Sequence, residues 1–211
     1  MELATRRIIP SHAIRRGTMT PALRDAAEET PVAISYDGST FAVLMATPAD
    51  LADLGIGFSL TEGIIDEPEN LAGLDIVEQA VGVEVRLWLS PETGSRHRHR
   101  RRAIIGPTGC GLCGVESLEA ASAPPAQVSR AFSWSRAEIM DAVAALDGLQ
   151  PLGGATRAVH AAGLWRDGRM IAIRASAPVL KASACHAAMR ALRSSPVSAG
   201  SNSAANAAFK A

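Results

Sequence analysis

The sequence predicts a mixed α/β domain, and three observations carry that reading. Two β-branched runs, at 31–36 and 40–45, flank Asp37-Gly38, the dipeptide that most strongly favours a tight hairpin turn. The stretch from Leu51 to Glu62 spaces Leu51, Leu54, Phe58 and Leu60 as one apolar helical stripe. Between 82 and 89, Val83, Val85, Leu87 and Leu89 alternate with Glu84, Arg86 and Trp88, the period-two signature of a strand buried on one face.

Taken in order, the first hairpin comprises Pro31-Val32-Ala33-Ile34-Ser35-Tyr36 and Thr40-Phe41-Ala42-Val43-Leu44-Met45. Thr47 then stands as a capping residue before Pro48 at the first helical position, and Gly63 is the expected stop. Asp66-Glu67-Pro68 leads into a turn, and strands follow at 74–79 and 82–89. Ser135-Arg136-Ala137-Glu138 opens a further helix through Leu146 with a reciprocal capping box. Gly153-Gly154 is expected to form a flexible turn. Residues 156–165 and the strand 170–173 then form a strand return around Asp167-Gly168. From Ala175 onward Ala and Ser dominate, and only 187–192 suggests a helix.

Composition excludes several function classes. A chain of 211 residues, 47% hydrophobic, has enough apolar content for a real core. Lys plus Arg equals Asp plus Glu at 21 each, so bulk charge does not select nucleic acid as a partner. No apolar run approaches the ~18 residues of a spanning helix, so no membrane association is expected. The N-terminal 20 residues carry Arg6, Arg7, Arg15 and Arg16 without the apolar region of a secretory signal. Three cysteines do not make a secreted disulfide framework, and a reducing, cytoplasmic location is the expectation.

The strongest chemical signal is Gly109-Cys110-Gly111-Leu112-Cys113-Gly114, preceded by Gly106-Pro107 and followed by the helix-forming run 115–121. Glycines leave backbone N–H groups uncovered, and a helix entrance concentrates positive dipole, so thiolate is favoured over thiol. Three chemistries use such a pair. Structural zinc needs two more ligands, for which His160, Cys185, His186 and the loop histidines are candidates, but no second closely spaced pair accompanies them in a regular segment. A zinc deaminase shares the C-x-x-C before a helix, yet none of His12, His97, His99, His160 or His186 begins an H-x-E triplet. A thioredoxin-type dithiol normally follows the first strand of its fold, whereas this pair lies mid-chain among glycines. The run Arg96-His97-Arg98-His99-Arg100-Arg101-Arg102 reads as a solvated basic loop, with a dock for an acidic surface as the functional alternative.

Three segments together point to a family. Glu28-Glu29-Thr30-Pro31-Val32-Ala33-Ile34 is the first. The second runs from Met45-Ala46-Thr47-Pro48-Ala49-Asp50-Leu51 through Gly57-Phe58-Ser59-Leu60-Thr61-Glu62-Gly63-Ile64-Ile65, and the cysteine motif is the third. In order, spacing and length the set resembles the FdhD family, the formate dehydrogenase accessory sulfurtransferases, over about residues 25–174.

The resemblance implies a cytidine deaminase-like layered α/β domain, here C-terminally incomplete, with an N-terminal β-hairpin. It implies a sulfurtransferase that takes persulfide sulfur from a cysteine desulfurase and passes it to the molybdenum cofactor, bis-MGD, for formate dehydrogenase. Cys110 then carries the persulfide with Cys113 as companion thiol, no metal of the protein's own is needed, and His160 is a candidate cofactor contact. His160 sits in Ala158-Val159-His160-Ala161-Ala162, similar to the family's Thr-His-Ala-Ala with Val159 in place of Thr; a hydrogen-bonded core histidine is the competing reading. Glu62 reads as a solvated helix-end carboxylate. The expected organisation is an N-terminal arm at 1–25, an α/β domain at 26–174 and a divergent tail at 175–211. The tail lacks the family's Gly-Arg-His-Asn segment, so a sheet edge is expected to lie uncovered and to favour a homodimer. A non-catalytic, partner-binding protein and a zinc-binding C-x-x-C protein are the alternatives to sulfur transfer.

Overall fold

The structure, a computed structural model, describes residues 3–94 and 134–176. Expectations for the cysteine motif, the helix at 115–121, the Arg/His loop and the tail beyond 176 fall outside the described residues. Eight strands and three α-helices are described, in a mixed α/β arrangement with several sheets.

A four-stranded sheet positions everything else. It contains β3 (Thr30–Tyr36), β4 (Ser39–Ala46), β5 (Leu71–Gln79) and β6 (Gly82–Leu89), in the order β4-β3-β6-β5. The two central strands run parallel, with Ile34 opposite Val85, and each outer strand is antiparallel to its neighbour. A parallel pair needs a crossover, and α1 (Leu51–Thr61) lies within it. The alternation expected for 82–89 is observed: Val83, Val85, Leu87 and Leu89 are buried against Val32, Ile34, Leu44 and the α1 residues Leu51, Leu54 and Leu60.

Helix α1 can lie close on this sheet because it carries no side chain at Gly55. A Cβ there would sit 2.7 Å from Val85 Cγ1 and 3.6 Å from both Leu87 Cδ atoms. The helix begins later than the sequence suggests. Asp50, not Thr47, is the N-cap; it has φ 49° and makes no side-chain capping bond, while Leu54 N–H donates to its carbonyl at 2.9 Å. Thr47 and Pro48 are buried, so they serve the core rather than the helix end, and the chain makes a tight turn in which Ala49 N–H donates to the Thr47 carbonyl.

The stop at Gly63 is as expected. Gly63 has φ 66° and donates to the Leu60 carbonyl, while Ile64 donates to Ser59, the paired bonds of a Schellman cap.

Two further hairpins form separate two-stranded sheets. The first, β1 (Arg6–Arg15) and β2 (Thr18–Ala27), occupies the segment read from sequence as an arm. The second, β7 (His160–Arg166) and β8 (Arg169–Ser176), forms the expected strand return. Arg16-Gly17, Asp37-Gly38 and Asp167-Gly168 connect the three hairpins with φ values of 49° and 82°, 49° and 78°, and 53° and 74°. Positive φ at both positions is the type I′ turn, whose twist matches that of the strands it joins.

Helix α2 (Arg136–Gly148) has the expected capping box: Ser135 N–H donates to Glu138 Oε2 at 2.8 Å and Glu138 N–H donates to Ser135 Oγ at 3.2 Å. It packs on the β7–β8 pair. Gly153-Gly154 is not a flexible turn but the middle of a short helix, α3 (Pro151–Thr156). Pro151 sits at its first turn, where a missing N–H costs nothing, and Gln150 reaches back so that its Nε2 donates to the Leu146 carbonyl at 2.9 Å.

Candidate functional site

Cys110 and Cys113 lie outside the described residues. Among the sequence-predicted site residues, His160 is described. It is the first residue of β7, exposed and opposite Ser176 in the ladder, and so is not a packed core histidine. Glu62 is the exposed C-cap of α1, as expected. Among the described residues, no three His, Cys, Asp or Glu side chains converge as a metal site, and no helix is long and apolar enough to cross a membrane.

What the structure does bring together is α1 and the end of β8. Arg174, 121 residues from its partner, sends its guanidinium to Asp53 in the first turn of α1 and lies 3.7 Å from Asp50 through Nε. Arg174 and Asp53 are part-buried, while the Asp50 side chain is half-exposed. Burial pushes the Asp50 carboxyl above its ordinary value and Asp53 adds to the rise, while Arg174 opposes it. The guanidinium therefore offsets one of the two negative charges at this helix start and ties the β7–β8 pair to α1.

Beneath α1 a second polar chain is closed inside the core. Ser59 Oγ lies 2.7 Å from the Gly55 carbonyl and 2.7 Å from Tyr36 Oη. A serine hydroxyl has one proton, and the carbonyl can only accept, so Ser59 donates to Gly55 and Tyr36 donates to Ser59. Burial first, then the charge of Glu62, raises the Tyr36 pKa, with the Ser59 bond working against them, so the phenol stays protonated and keeps its donor role.

The opposite face of the sheet has a polar centre. Ser35 Oγ donates to Glu84 Oε1 at 2.8 Å, and Arg86 donates to Glu84 Oε2 through Nε at 3.0 Å and through its terminal nitrogen at 2.9 Å. The Arg86 bonds, followed by Ser35, hold the Glu84 carboxyl below the usual range.

These groups are engaged with one another in hydrogen bonds and ion pairs that fix α1 and the sheet. Sequence reasoning passes over Asp50, Asp53 and Arg174. The acids at i and i+3 on a helix start carry a local signal, but the cation that pairs with them comes from far along the chain.

Comparison with known proteins supplies what this geometry does not. The FdhD/NarQ family model matches residues 27–176. The chain is 44% identical over 174 residues to a sulfur carrier protein FdhD of Agrobacterium fabrum, covering 81% of this chain and 64% of that protein. It is 43% identical over 150 residues to a sulfur carrier protein FdhD of Bordetella petrii, covering 70% of this chain and 54% of the relative. The chain thus spans between half and two-thirds of the length of these relatives.

A crystal structure described as a putative formate dehydrogenase accessory protein, from Desulfotalea psychrophila, superposes with a TM-score of 0.58 at 22% identity. The superposition covers 88% of this chain and 66% of that one, a likeness of fold. On the extent of the family match and the identity to these relatives, the chain belongs to the FdhD/NarQ family.

Proposed function

We propose that the protein is a sulfur carrier that relays persulfide sulfur from a cysteine desulfurase to the molybdenum cofactor, in its bis-MGD form, destined for formate dehydrogenase. The observation that carries the reading is the coincidence of family membership with the glycine-flanked pair Cys110 and Cys113. The Cys110 thiolate attacks the outer sulfur of the donor's persulfide. An S–S bond forms on Cys110, the donor's S–S bond breaks, and the donor cysteine leaves as a thiolate, so no external oxidant is required. Glycine at 109, 111 and 114 brings no side chain that would shield backbone N–H groups from an anionic persulfide on Cys110, and the sequence is in that respect suited to the role. Cys113 is the companion thiol: it either takes the outer sulfur as its own persulfide while Cys110 leaves as a thiolate, or attacks the inner sulfur so that a Cys110–Cys113 disulfide forms and sulfide leaves, with the cofactor accepting the sulfur as substrate. His160, exposed at the start of β7, is the described residue assigned to contact that cofactor.

Incubation with a cysteine desulfurase and labelled cysteine, followed by intact mass measurement, tests the relay. A reducible adduct of about 32 Da, one sulfur atom, is expected on the wild type and absent from Cys110→Ala. A folded wild-type protein that acquires no adduct refutes the relay and leaves the partner-binding reading. Stoichiometric zinc lost on replacing either cysteine would instead establish a metal site.

A further inference from the structure

The β7–β8 hairpin has two faces with different neighbours. Residues directly opposed in an antiparallel pair project to the same side, and the sides alternate along each strand. The register sets His160 opposite Ser176, Ala161 opposite Ala175, Ala162 opposite Arg174 and Gly163 opposite Ile173, and its one irregularity falls later, between Leu164 and Trp165. His160, Ala162 and Arg174 therefore belong to one face, and Ala161, Gly163 and Ile173 to the other. Helix α2 takes the second face: a Cβ on Gly163 would lie 3.0 Å from Leu146 Cδ1. The start of α1 takes the first, through the bonds of Arg174 to Asp53.

Core packing does not set the angle at which this hairpin meets α1. Among the described residues, the buried cluster beneath α1 runs from Val32 to Leu89 and takes no member from β7, β8 or α2. Apolar burial is in any case non-directional. The guanidinium of Arg174 is directional, and all three of its nitrogens are engaged. Nη1 donates to the carbonyl of Ile173 on its own strand at 2.8 Å, Nε and Nη2 both reach Asp53 Oδ2, and Nε lies 3.7 Å from Asp50 Oδ2. A planar fork held by β8 on one edge and by α1 on another fixes an angle between the two elements as well as a distance.

His160 is the diagonal neighbour of Arg174 on the same face. Residues so related lie about 7–8 Å apart between Cα atoms, with their side chains somewhat closer. Arg174 is part-buried in its contact with α1, whereas His160 is exposed at the start of β7. The imidazole thus stands at the rim of the junction between hairpin and helix, on the surface whose tilt the Arg174 fork determines.

We propose that Arg174 is a positioning residue for His160: its bond to Asp53 locks the hairpin face that carries His160 onto the start of α1 and so sets where the imidazole stands when the cofactor receives sulfur. The bearing of Arg174 on sulfur delivery rests on the role of His160 proposed above. The coupling between Arg174 and His160 does not, because it follows from the register and from the ion pair alone. Displacement of a contacting group by about 1 Å is enough to slow a transfer step by one to two orders of magnitude, so a loose hairpin is costly even where the fold survives.

NMR of the full chain with isotopically labelled histidine tests the coupling without any cofactor. Arg174→Gln and, from the α1 side, Asp53→Asn are expected to move the His160 imidazole signal, assigned by its loss in His160→Gln, and Arg174→Lys, which keeps the charge, is expected to restore most of it. A signal that stays in place in both Arg174→Gln and Asp53→Asn overturns the proposal. Delivery is followed as the passage of labelled sulfur from protein loaded to the same mass adduct onto formate dehydrogenase holding sulfur-free bis-MGD. Arg174→Gln is expected to slow it on the order of tenfold, with Arg174→Lys within about threefold of the wild type. Because Arg174 acts through His160, the double variant Arg174→Gln/His160→Gln should be no slower than His160→Gln. Rate losses that multiply instead make Arg174 a merely structural residue and overturn the proposal. A His160→Gln variant that delivers like the wild type refutes the reading of His160 itself, an outcome told apart from loss of the coupling because the His160 signal would still respond to Arg174.

Discussion

The contact of α1 with the sheet at Gly55 allows a double-mutant test of how the helix is seated. In isolation, Gly55→Ala should stabilise a helix interior by about 1 kcal/mol. Here the new Cβ would fall 2.7 Å from Val85 Cγ1, against the ~3.5–4 Å of a normal carbon contact, so about 1 Å must be found. Val85 cannot easily provide it. The residue is fully buried, its β-branched side chain is stiff at χ1, and β6 is held by strands on both sides. Overpacking of this kind costs about 1–3 kcal/mol, so the net expectation is a loss of about 1 kcal/mol. Val85→Ala alone removes two methyl groups and leaves a cavity, costing about 2–3 kcal/mol. In the double variant the methyl group added at position 55 enters the vacated space, the clash disappears and the helix gain is realised. Its loss should be only about 1 kcal/mol, so the coupling is about 2–3 kcal/mol in favour of the pair. Urea unfolding followed by far-UV circular dichroism measures all four corners of the cycle. Additivity within about 0.5 kcal/mol, or a stabilising Gly55→Ala, would refute the packing argument.

Two further perturbations address the charged groups. Arg174→Gln removes the cation between Asp50 and Asp53 and should cost about 1 kcal/mol at pH 7, a modest figure because Asp50 is half-exposed and the other two groups are only part-buried. Repulsion between the two carboxylates then pushes the already raised Asp50 further up, so the penalty should shrink as pH falls and Asp50 protonates; a penalty that grows on acidification would contradict this. Glu84 has the opposite sign. Its carboxyl is held low by Arg86 and Ser35, so its contribution is present above the unfolded-state pKa and is lost as pH falls through the folded value. The unfolding midpoint of Glu84→Gln should therefore fall less steeply than that of the wild type on acidification below about pH 5, and parallel profiles would refute the assignment.

The legible parts of the fold are those whose cause is local. Asp37-Gly38 and Asp167-Gly168 announce their turns because both residues tolerate positive φ, and Ser135 with Glu138 announces a helix start because both partners of the capping box lie within four residues. The start of α1 is misplaced by sequence because Thr47-Pro48 has the right local chemistry for a cap, while the core's demand for two buried residues there is not local. Gly153-Gly154 misleads in the other direction: high intrinsic flexibility is overridden by Pro151 and by the Gln150 side chain reaching Leu146. In the candidate site, the cysteine motif and His160 are visible as residue types in a pattern. Arg174 is not, because an ion pair across 121 residues leaves no periodicity.

The β1–β2 ribbon shows why chemistry at a turn is a one-way signal. A type I′ turn requires positive φ at two positions; Asp or Asn followed by Gly meets it cheaply, and Arg16 meets it at some cost. The absence of the cheap solution hides the turn, and Pro10 and Pro21 argue further against strands. Yet in a two-stranded ribbon every residue lies on an edge strand, so half of all positions tolerate proline, and both prolines occupy that half. The same parity that admits the prolines collects Ile8, Ile14, Met19 and Leu23 onto one surface. A sequence pattern read for a buried strand expects the apolar half to face a core. Here the apolar half faces outward.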